Sequence, residues 1–224
     1  MEKVNLKKIA LAAIFCALAF VSMFAFRIKV QFLTFDTKDA IIGISSLLLG
    51  PLYGVCSAAV VALLELVSVS DTGVYGLIMN FLSTGTFALT CGAVYKYRRT
   101  LAGAVTAMSL SVISVTSVML LANIFVTPFF MGVPRSMVID LLPTLFLPFN
   151  LAKSALNAAI ALIIYKPLSS ALKRAKLLPD NDEKKYRFTM RSAIITVCAA
   201  VVIILAALVL FLYLNGSFEI IRSK

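Results

Sequence analysis

The chain has 224 residues, 61% of them hydrophobic, and a mean hydropathy of +1.01. About 45–50% apolar residues is ordinary for a soluble domain, so this composition excludes a soluble globular protein and leaves no room for a soluble domain. The net charge of +11 would suggest nucleic-acid binding in a soluble protein, but in a membrane protein cationic cytoplasmic loops explain it better.

The residue types also exclude several kinds of catalytic site. The sequence contains no histidine, and its four cysteines lie in apolar stretches without metal-ligand spacing, as expected of small buried hydrophobes. It has no P-loop, no paired carboxylates and no Ser/His/Asp or Cys/His set. We therefore expect no enzymatic activity, no metal and no cofactor. The cysteines are Cys16, Cys56, Cys91 and Cys198.

The first apolar segment covers about residues 9–26. No small-residue cleavage site follows it, so we expect a retained span rather than a signal peptide. A polar stretch, residues 27–39, separates it from a short apolar piece, residues 40–50. That piece is about 16 Å long as a helix and cannot cross a ~30 Å bilayer core alone. It ends at the breaker pair Gly50-Pro51.

Further apolar segments follow, separated by short polar loops. The loop of residues 70–73 precedes one of them, and another is predicted to stop at Pro128, before a loop of residues 128–136. The segments cover residues 52–69, 74–95, 101–126 and 141–165, and, after a charged stretch at 173–191, residues 192–214.

The basic residues indicate the orientation. With the N-terminus in the cytoplasm, most lysines and arginines fall on the cytoplasmic side, as the positive-inside rule requires. The loops of residues 27–39, 70–73 and 128–136 then lie together on the outer face. We expect a multi-pass protein of the cell membrane with a cytoplasmic N-terminus.

Lys153 is the most informative single residue, because it lies deep inside an apolar segment. A charge at such depth costs roughly 2.5–3.5 kcal/mol and normally faces a cavity or a partner. The alternatives to a functional role are that Lys153 snorkels toward the interface or pairs structurally with Glu65. Asn150, Lys153 and Asn157, spaced i, i+3, i+7, share one helix face. That face either joins helices through hydrogen bonds or forms a pocket wall, to which Asn123 adds. Such groups suit a flat, carbonyl-rich heterocycle.

Other candidate residues are less specific. Glu65 and Asn80 lie in apolar segments, where each is either solvated from the outside or in contact with ligand hydroxyls. In the outer loop, residues 32–36 mix aromatic and polar side chains and form either an interfacial anchor or a lid over a pocket. Ala13 and Ala17 have the small-x-x-x-small spacing that lets two helices approach closely in lipid.

Four stretches of the sequence carry a resemblance to a known family. They are FLTFDTKDAIIGISSLLLGPLYG from Phe32, ELVSVSDTGVYGLIMN from Glu65, NIFVTPFFMGVPR from Asn123 and LPFNLAKSALNAAIALIIYKPL from Leu147. Over about residues 5–178 the chain resembles the S components of energy-coupling factor (ECF) transporters, and among them the riboflavin-specific type.

This resemblance implies an all-α integral membrane protein, in which a six-helix bundle over residues 1–178 holds a vitamin pocket open to the outside. The transported ligand would be riboflavin, and no cofactor is implied. Partners would be the membrane-embedded coupling subunit (T component), docked on Ala13 and Ala17, and two ATPase subunits. Asn123, Asn150 and Lys153 would contact the isoalloxazine ring of the flavin. The loop that caps the pocket would contain Leu33, Thr34 and Asp36.

The C-terminal part departs from the family pattern. We expect residues 179–191 to form a charged cytoplasmic linker and residues 192–224 to contain an additional transmembrane helix with a short tail. Alternatives therefore stay open: a stand-alone or differently partnered transporter of a flavin (FMN or FAD) or of another small polar solute, or a membrane adaptor without a ligand. Arg27, Lys29 and Lys38 are expected near the outer mouth, where their positive charge either attracts a phosphate or is an ordinary feature of a polar loop.

Overall fold

A computed structural model of the chain describes residues 6–30 and 32–178. The predicted linker, the predicted helix at 192–214 and Cys198 lie outside the described residues. Within the described part the chain forms six helices and one β-hairpin. They are α1 (Leu6–Ala25), β1 (Ile28–Val30), β2 (Leu33–Phe35), α2 (Lys38–Leu49), α3 (Pro51–Ser68), α4 (Gly73–Tyr97), α5 (Leu101–Met131) and α6 (Arg135–Arg174).

The helical membrane fold expected from composition is confirmed. In the described part five helices, α1, α3, α4, α5 and α6, are long and apolar enough to cross a bilayer. Many of their large apolar side chains point outward, such as Val67 at 87% exposure and Ile113 at 61%. An exposed apolar belt of this kind is stable only against lipid tails.

The short helix α2 lies at the centre of the bundle. Its 12 residues span about 18 Å, as expected for a helix that does not cross alone, and it packs against α1, α3, α4 and α6. The close approach to α4 needs small residues: a Cβ on Gly92 would lie 2.2 Å from Ser46 Oγ. Ser46 Oγ in turn donates to the carbonyl of Ala88 at 2.5 Å.

The predicted break at Gly50-Pro51 separates α2 from α3. Gly50 has a φ of 113°, a conformation that L side chains rarely adopt, and its N–H donates to Ser46 O at 2.9 Å. Pro51 is the first residue of α3, where its missing N–H has no intrahelical role. The chain therefore reverses sharply without leaving a buried donor unpaired.

The predicted stop of the fifth segment at Pro128 was wrong. Helix α5 continues through Pro128 to Met131 and ends at Gly132, which has a φ of 66°. Neighbouring helices tolerate an internal proline in a membrane, and Pro128 O accepts hydrogen bonds from the N–H groups of Gly132 and Val133. The loop expected at residues 128–136 is therefore only a short connection.

Helix α6 contains one π-helical turn, Leu142–Phe146. Leu147 N–H donates to Leu142 O, five residues back, and Pro148 has no N–H to continue the regular pattern. The widened turn lies immediately before Asn150. π-Turns are frequent at functional sites, because they change which residues a helix presents on one face.

Candidate functional site

A cavity of about 360 Å³ lies between the hairpin, the end of α3, the start of α4, and helices α5 and α6. This volume falls within the range of ordinary small-molecule pockets. Its apolar walls come from Phe32, Leu33, Tyr75, Gly76, Met79, Met119, Val126, Phe130 and Phe149. Its polar groups come from Arg27, Lys29, Thr34, Glu65, Ser70, Asp71, Thr72, Asn80, Ser83, Asn123, Thr127, Asn150 and Lys153.

The two asparagines that line the cavity, one on α5 and one on α6, are oriented by hydrogen bonds within their own helices. Asn123 Nδ2 donates to Met119 O at 2.7 Å, and Thr127 Oγ1 donates to Asn123 Oδ1 at 2.7 Å. Asn150 Nδ2 donates to Phe146 O at 2.7 Å. Each amide has two N–H groups and an oxygen with two lone pairs, so both retain capacity to donate to and accept from a ligand.

The ammonium group of Lys153 contacts a buried carboxylate. Its Nζ donates to Asp36 Oδ2 at 2.9 Å, and the residue is only 7% exposed. An ammonium has three donors, so the bond to Asp36 does not exhaust it. The structural partner of Lys153 is therefore Asp36, at the end of the hairpin, and not Glu65.

Lys38 extends this pair into a chain of four alternating charges. Its Nζ lies 2.6 Å from Glu65 Oε2 and 3.4 Å from Asp36 Oδ2. The order is Glu65, Lys38, Asp36, Lys153, and only the two end members line the cavity. Lys38 is 1% exposed; its expected position at the outer mouth was wrong, because the start of α2 lies inside the bundle.

Asn157 holds the junction between the hairpin and α2. Its Nδ2 donates to Asp36 O at 2.9 Å and to Lys153 O at 3.0 Å, and its Oδ1 accepts from Ala40 N at 2.8 Å. Asn157 is fully buried and does not line the cavity. These bonds fix the position of Asp36 relative to α6.

Asp39 is a third buried acid near this junction. Thr84 Oγ1 donates to its Oδ1 at 2.5 Å, and Ser83 Oγ lies 3.5 Å from its Oδ2. Its position at the N-terminus of α2 also favours a negative charge, because the helix dipole is positive there. Two hydroxyls of α4 therefore contact this carboxylate.

The mouth of the cavity carries an exposed ion pair between Lys29 of β1 and Asp71 of the loop between α3 and α4. The hydrogen bond and positive charge of Lys29 hold the pKa of Asp71 below its usual value. Arg27 Nη1 donates to Val69 O at 3.0 Å. Two contacts thus connect the start of the hairpin to the same loop across the mouth.

The hairpin covers the cavity and is packed on aromatic rings. Its register pairs Lys29 with Thr34. The ring of Phe35 lies 4.6 Å from that of Phe149, and the ring of Phe32 lies 5.6 Å from that of Phe130. These contacts attach the hairpin to α5 and α6, so it is positioned as a cover over the pocket.

Most of the residues singled out in the sequence meet in this cavity. Asp36 and Asn157 do not line it; they support Lys153 from behind. Ala13 and Ala17 are exposed on α1 and do not line it. The cavity is lined by Leu33, Thr34, Glu65, Asn80, Asn123, Asn150 and Lys153.

Sequence reasoning missed most of the apolar wall and five polar residues of the lining: Ser70, Asp71, Thr72, Ser83 and Thr127. Met119 and Thr127 each lie four residues from Asn123, so the helical period that linked Asn150 to Lys153 would have found them. Phe130 and Tyr75 contact the same side of the cavity through a ring pair with centroids 6.1 Å apart. Nothing in the local sequence distinguishes these rings from ordinary lipid-facing aromatics.

The donor set favours an organic ligand over a metal. Among residues 6–30 and 32–178, no group of three or more His, Cys, Asp or Glu side chains is arranged to hold a metal ion. The cavity instead combines broad apolar and aromatic walls with amides, an ammonium and a carboxylate. Such a lining can hold a flat ring and pair with both donors and acceptors on its edge.

Comparison with known proteins gives concordant matches. The family described as "ECF transporter, substrate-specific component" matches residues 7–169. The riboflavin transporter RibU of Staphylococcus aureus (strain TCH60) is 28% identical over 180 residues, which are 75% of this chain and 93% of that protein. A solved structure of the S component of a bacterial ECF transporter superposes with a TM-score of 0.63 at 28% identity, covering 75% of this chain and 98% of the other.

Proposed function

Because this chain belongs to the family of ECF transporter substrate-specific components, we propose that it binds riboflavin and passes it on to an ATP-driven import complex. The observation that carries the proposal is the cavity in which Asn123, Asn150 and Lys153 converge beneath the hairpin. The similarity to a riboflavin transporter supports the same ligand.

The chemistry of the flavin ring fits this lining. One edge of the ring carries an N–H between two carbonyls, and the rest of the ring is flat and apolar. Asn150 and Asn123 each donate and accept, and Lys153 donates only, so the asparagines suit the N–H and its neighbouring carbonyl, and the lysine suits a carbonyl oxygen. Met79, Met119 and Phe149 supply apolar surface for the ring faces.

The proposed transport cycle needs partners. Ala13 and Ala17 lie on an exposed, small-residue face of α1, which suits close packing against another membrane helix. We assign this face to the T component, and the energy to two ATPase subunits, since this chain carries no P-loop. The N-terminus is assigned to the cytoplasm by the positive-inside rule, so the hairpin faces the outside.

The direct test is titration of riboflavin with the purified protein in detergent, followed by quenching of flavin fluorescence. Saturable quenching with one site per chain supports the proposal. Wild-type protein that quenches neither riboflavin nor FMN contradicts it, and points to the alternative of a transporter for another small polar solute.

A phosphorylated flavin is the second candidate ligand. Arg27 and Lys29 line the cavity at its mouth, and Arg27 Nε is buried without a hydrogen-bond partner. A terminal phosphate at that position would gain a charged donor, although Asp71 opposes it. Riboflavin and FMN affinities measured in wild type and Arg27→Gln distinguish the two ligands. If the site binds the FMN phosphate, Arg27→Gln weakens FMN binding and leaves riboflavin binding unchanged.

A further inference from the structure

We propose that Lys38 is a positioning residue that holds Glu65 as an ionised acceptor for the hydroxyl-bearing part of the ligand. The inference rests on the proposed function, because it concerns how the flavin pocket recognises the ligand's side chain. Lys38 itself does not line the cavity and acts through Glu65.

The first step is the position of Glu65. It lies on α3, is 4% exposed, and forms part of the cavity wall. Lys38 Nζ contacts its Oε2 at 2.6 Å. An ionised carboxylate has two oxygens and about four acceptor sites, and no donor, so the remaining capacity of Glu65 can be used only by a ligand that donates hydrogen bonds.

The second step is the charge of Glu65. A carboxylate removed from water becomes protonated unless a cation compensates it. Lys38 is the cation in contact with it, whereas Lys153 contacts Asp36. Among the described residues, Lys38 and Lys153 are the two buried lysines. Without Lys38, Lys153 alone would have to compensate the buried acids Asp36, Asp39 and Glu65. Lys38 therefore supplies the positive charge in direct contact with the Glu65 carboxylate.

The third step is the polarity of the pocket. The charge chain ends in a donor, Lys153, on α6 and in an acceptor, Glu65, on α3, and the Lys38–Asp36 contact joins them. A ligand bound across this pocket must present acceptors to one helix and donors to the other. In riboflavin the ring carbonyls are acceptors. Besides the ring N–H, which is assigned to the asparagines, the ribityl hydroxyls are the groups able to donate to a carboxylate.

The experiment compares riboflavin with lumiflavin, which has the same ring but a methyl group in place of the ribityl chain. Dissociation constants are measured by fluorescence quenching for wild type, Lys38→Met, Lys38→Gln and Glu65→Gln. We expect each substitution to weaken riboflavin binding by about tenfold or more, the size of a charged hydrogen bond. Lumiflavin binding is expected to change little, which also shows that each variant is folded.

Two controls make the result specific. In the Glu65→Gln background, Lys38→Met is expected to cause little further loss of riboflavin affinity, because both changes remove the same interaction. If Lys38→Met weakens riboflavin and lumiflavin equally, or weakens neither, the inference is overturned while flavin binding by the wild type still stands. If Lys38→Met does not fold, the same comparison in Lys38→Gln and Glu65→Gln decides. Wild type that binds neither flavin overturns the proposed function and this inference together.

Discussion

Lys153 and Asp36 are 117 residues apart in the chain, yet the lysine Nζ donates to the aspartate Oδ2 at 2.9 Å. Lys153 lies on α6 and lines the cavity, whereas Asp36 ends the hairpin that covers it. A ligand that bonds to Lys153 therefore contacts a group already attached to the cover. This ion pair therefore links the cavity wall to the hairpin.

Loss of the Lys153 donor is expected to weaken flavin binding. Lys153→Met keeps the apolar stem and removes the charge, and a charged hydrogen bond contributes roughly 1.5–3 kcal/mol. The dissociation constant for riboflavin should rise by about 10- to 150-fold in fluorescence titration. Lys166→Met, on the same helix but outside the cavity, is the matched control. Unchanged affinity in Lys153→Met would remove this residue from the binding site.

Loss of the Asp36 charge is expected to destabilise the protein itself. Asp36→Asn leaves the buried ammonium groups of Lys38 and Lys153 without their shared partner, and breaking a buried pair costs about 3–5 kcal/mol. The thermal midpoint in detergent should fall markedly. Asp71→Asn, which breaks the exposed pair with Lys29, is the control and should change the midpoint little. Equal effects of the two substitutions would contradict a supporting role for Asp36.

The exposed face of α1 is expected to serve docking and not binding. Ala13→Leu and Ala17→Leu add bulk where helix backbones should meet, and close packing is a main source of helix association in lipid. Uptake of riboflavin by cells should fall, while binding by the isolated subunit stays at the wild-type level. Ala102→Leu, also exposed but on α5, is the control. Wild-type uptake in both α1 variants would show that the partner docks elsewhere.

The C-terminal segment is expected to be dispensable for binding. The residues that line the cavity fall between Arg27 and Lys153, so a chain truncated after Leu178 retains all of them. Riboflavin titration of the truncated protein should match that of the full chain. A loss of affinity of about tenfold or more would mean that residues 179–224 contribute to riboflavin binding.

Much of the helical pattern was predictable from the sequence, because in lipid every span must be a long apolar helix. The short α2 and the break at Gly50-Pro51 were correct for the same local reasons: helix length and proline chemistry. The stop at Pro128 was wrong, since packing within the bundle tolerates a proline that a local rule treats as a breaker.

The charge of Lys153 at membrane depth, and the helix face it shares with Asn150, could be read from the sequence alone, because a buried charge demands a partner or a cavity. The identity of that partner could not. Glu65 and Asp36 were both available, and Lys38 was placed at the mouth because it lies in the polar stretch of residues 27–39. Only the tertiary structure decided these pairings, since they depend on α2 lying at the centre of the bundle. Its first turn there brings Lys38 between Asp36, its near neighbour in the chain, and Glu65, 27 residues away.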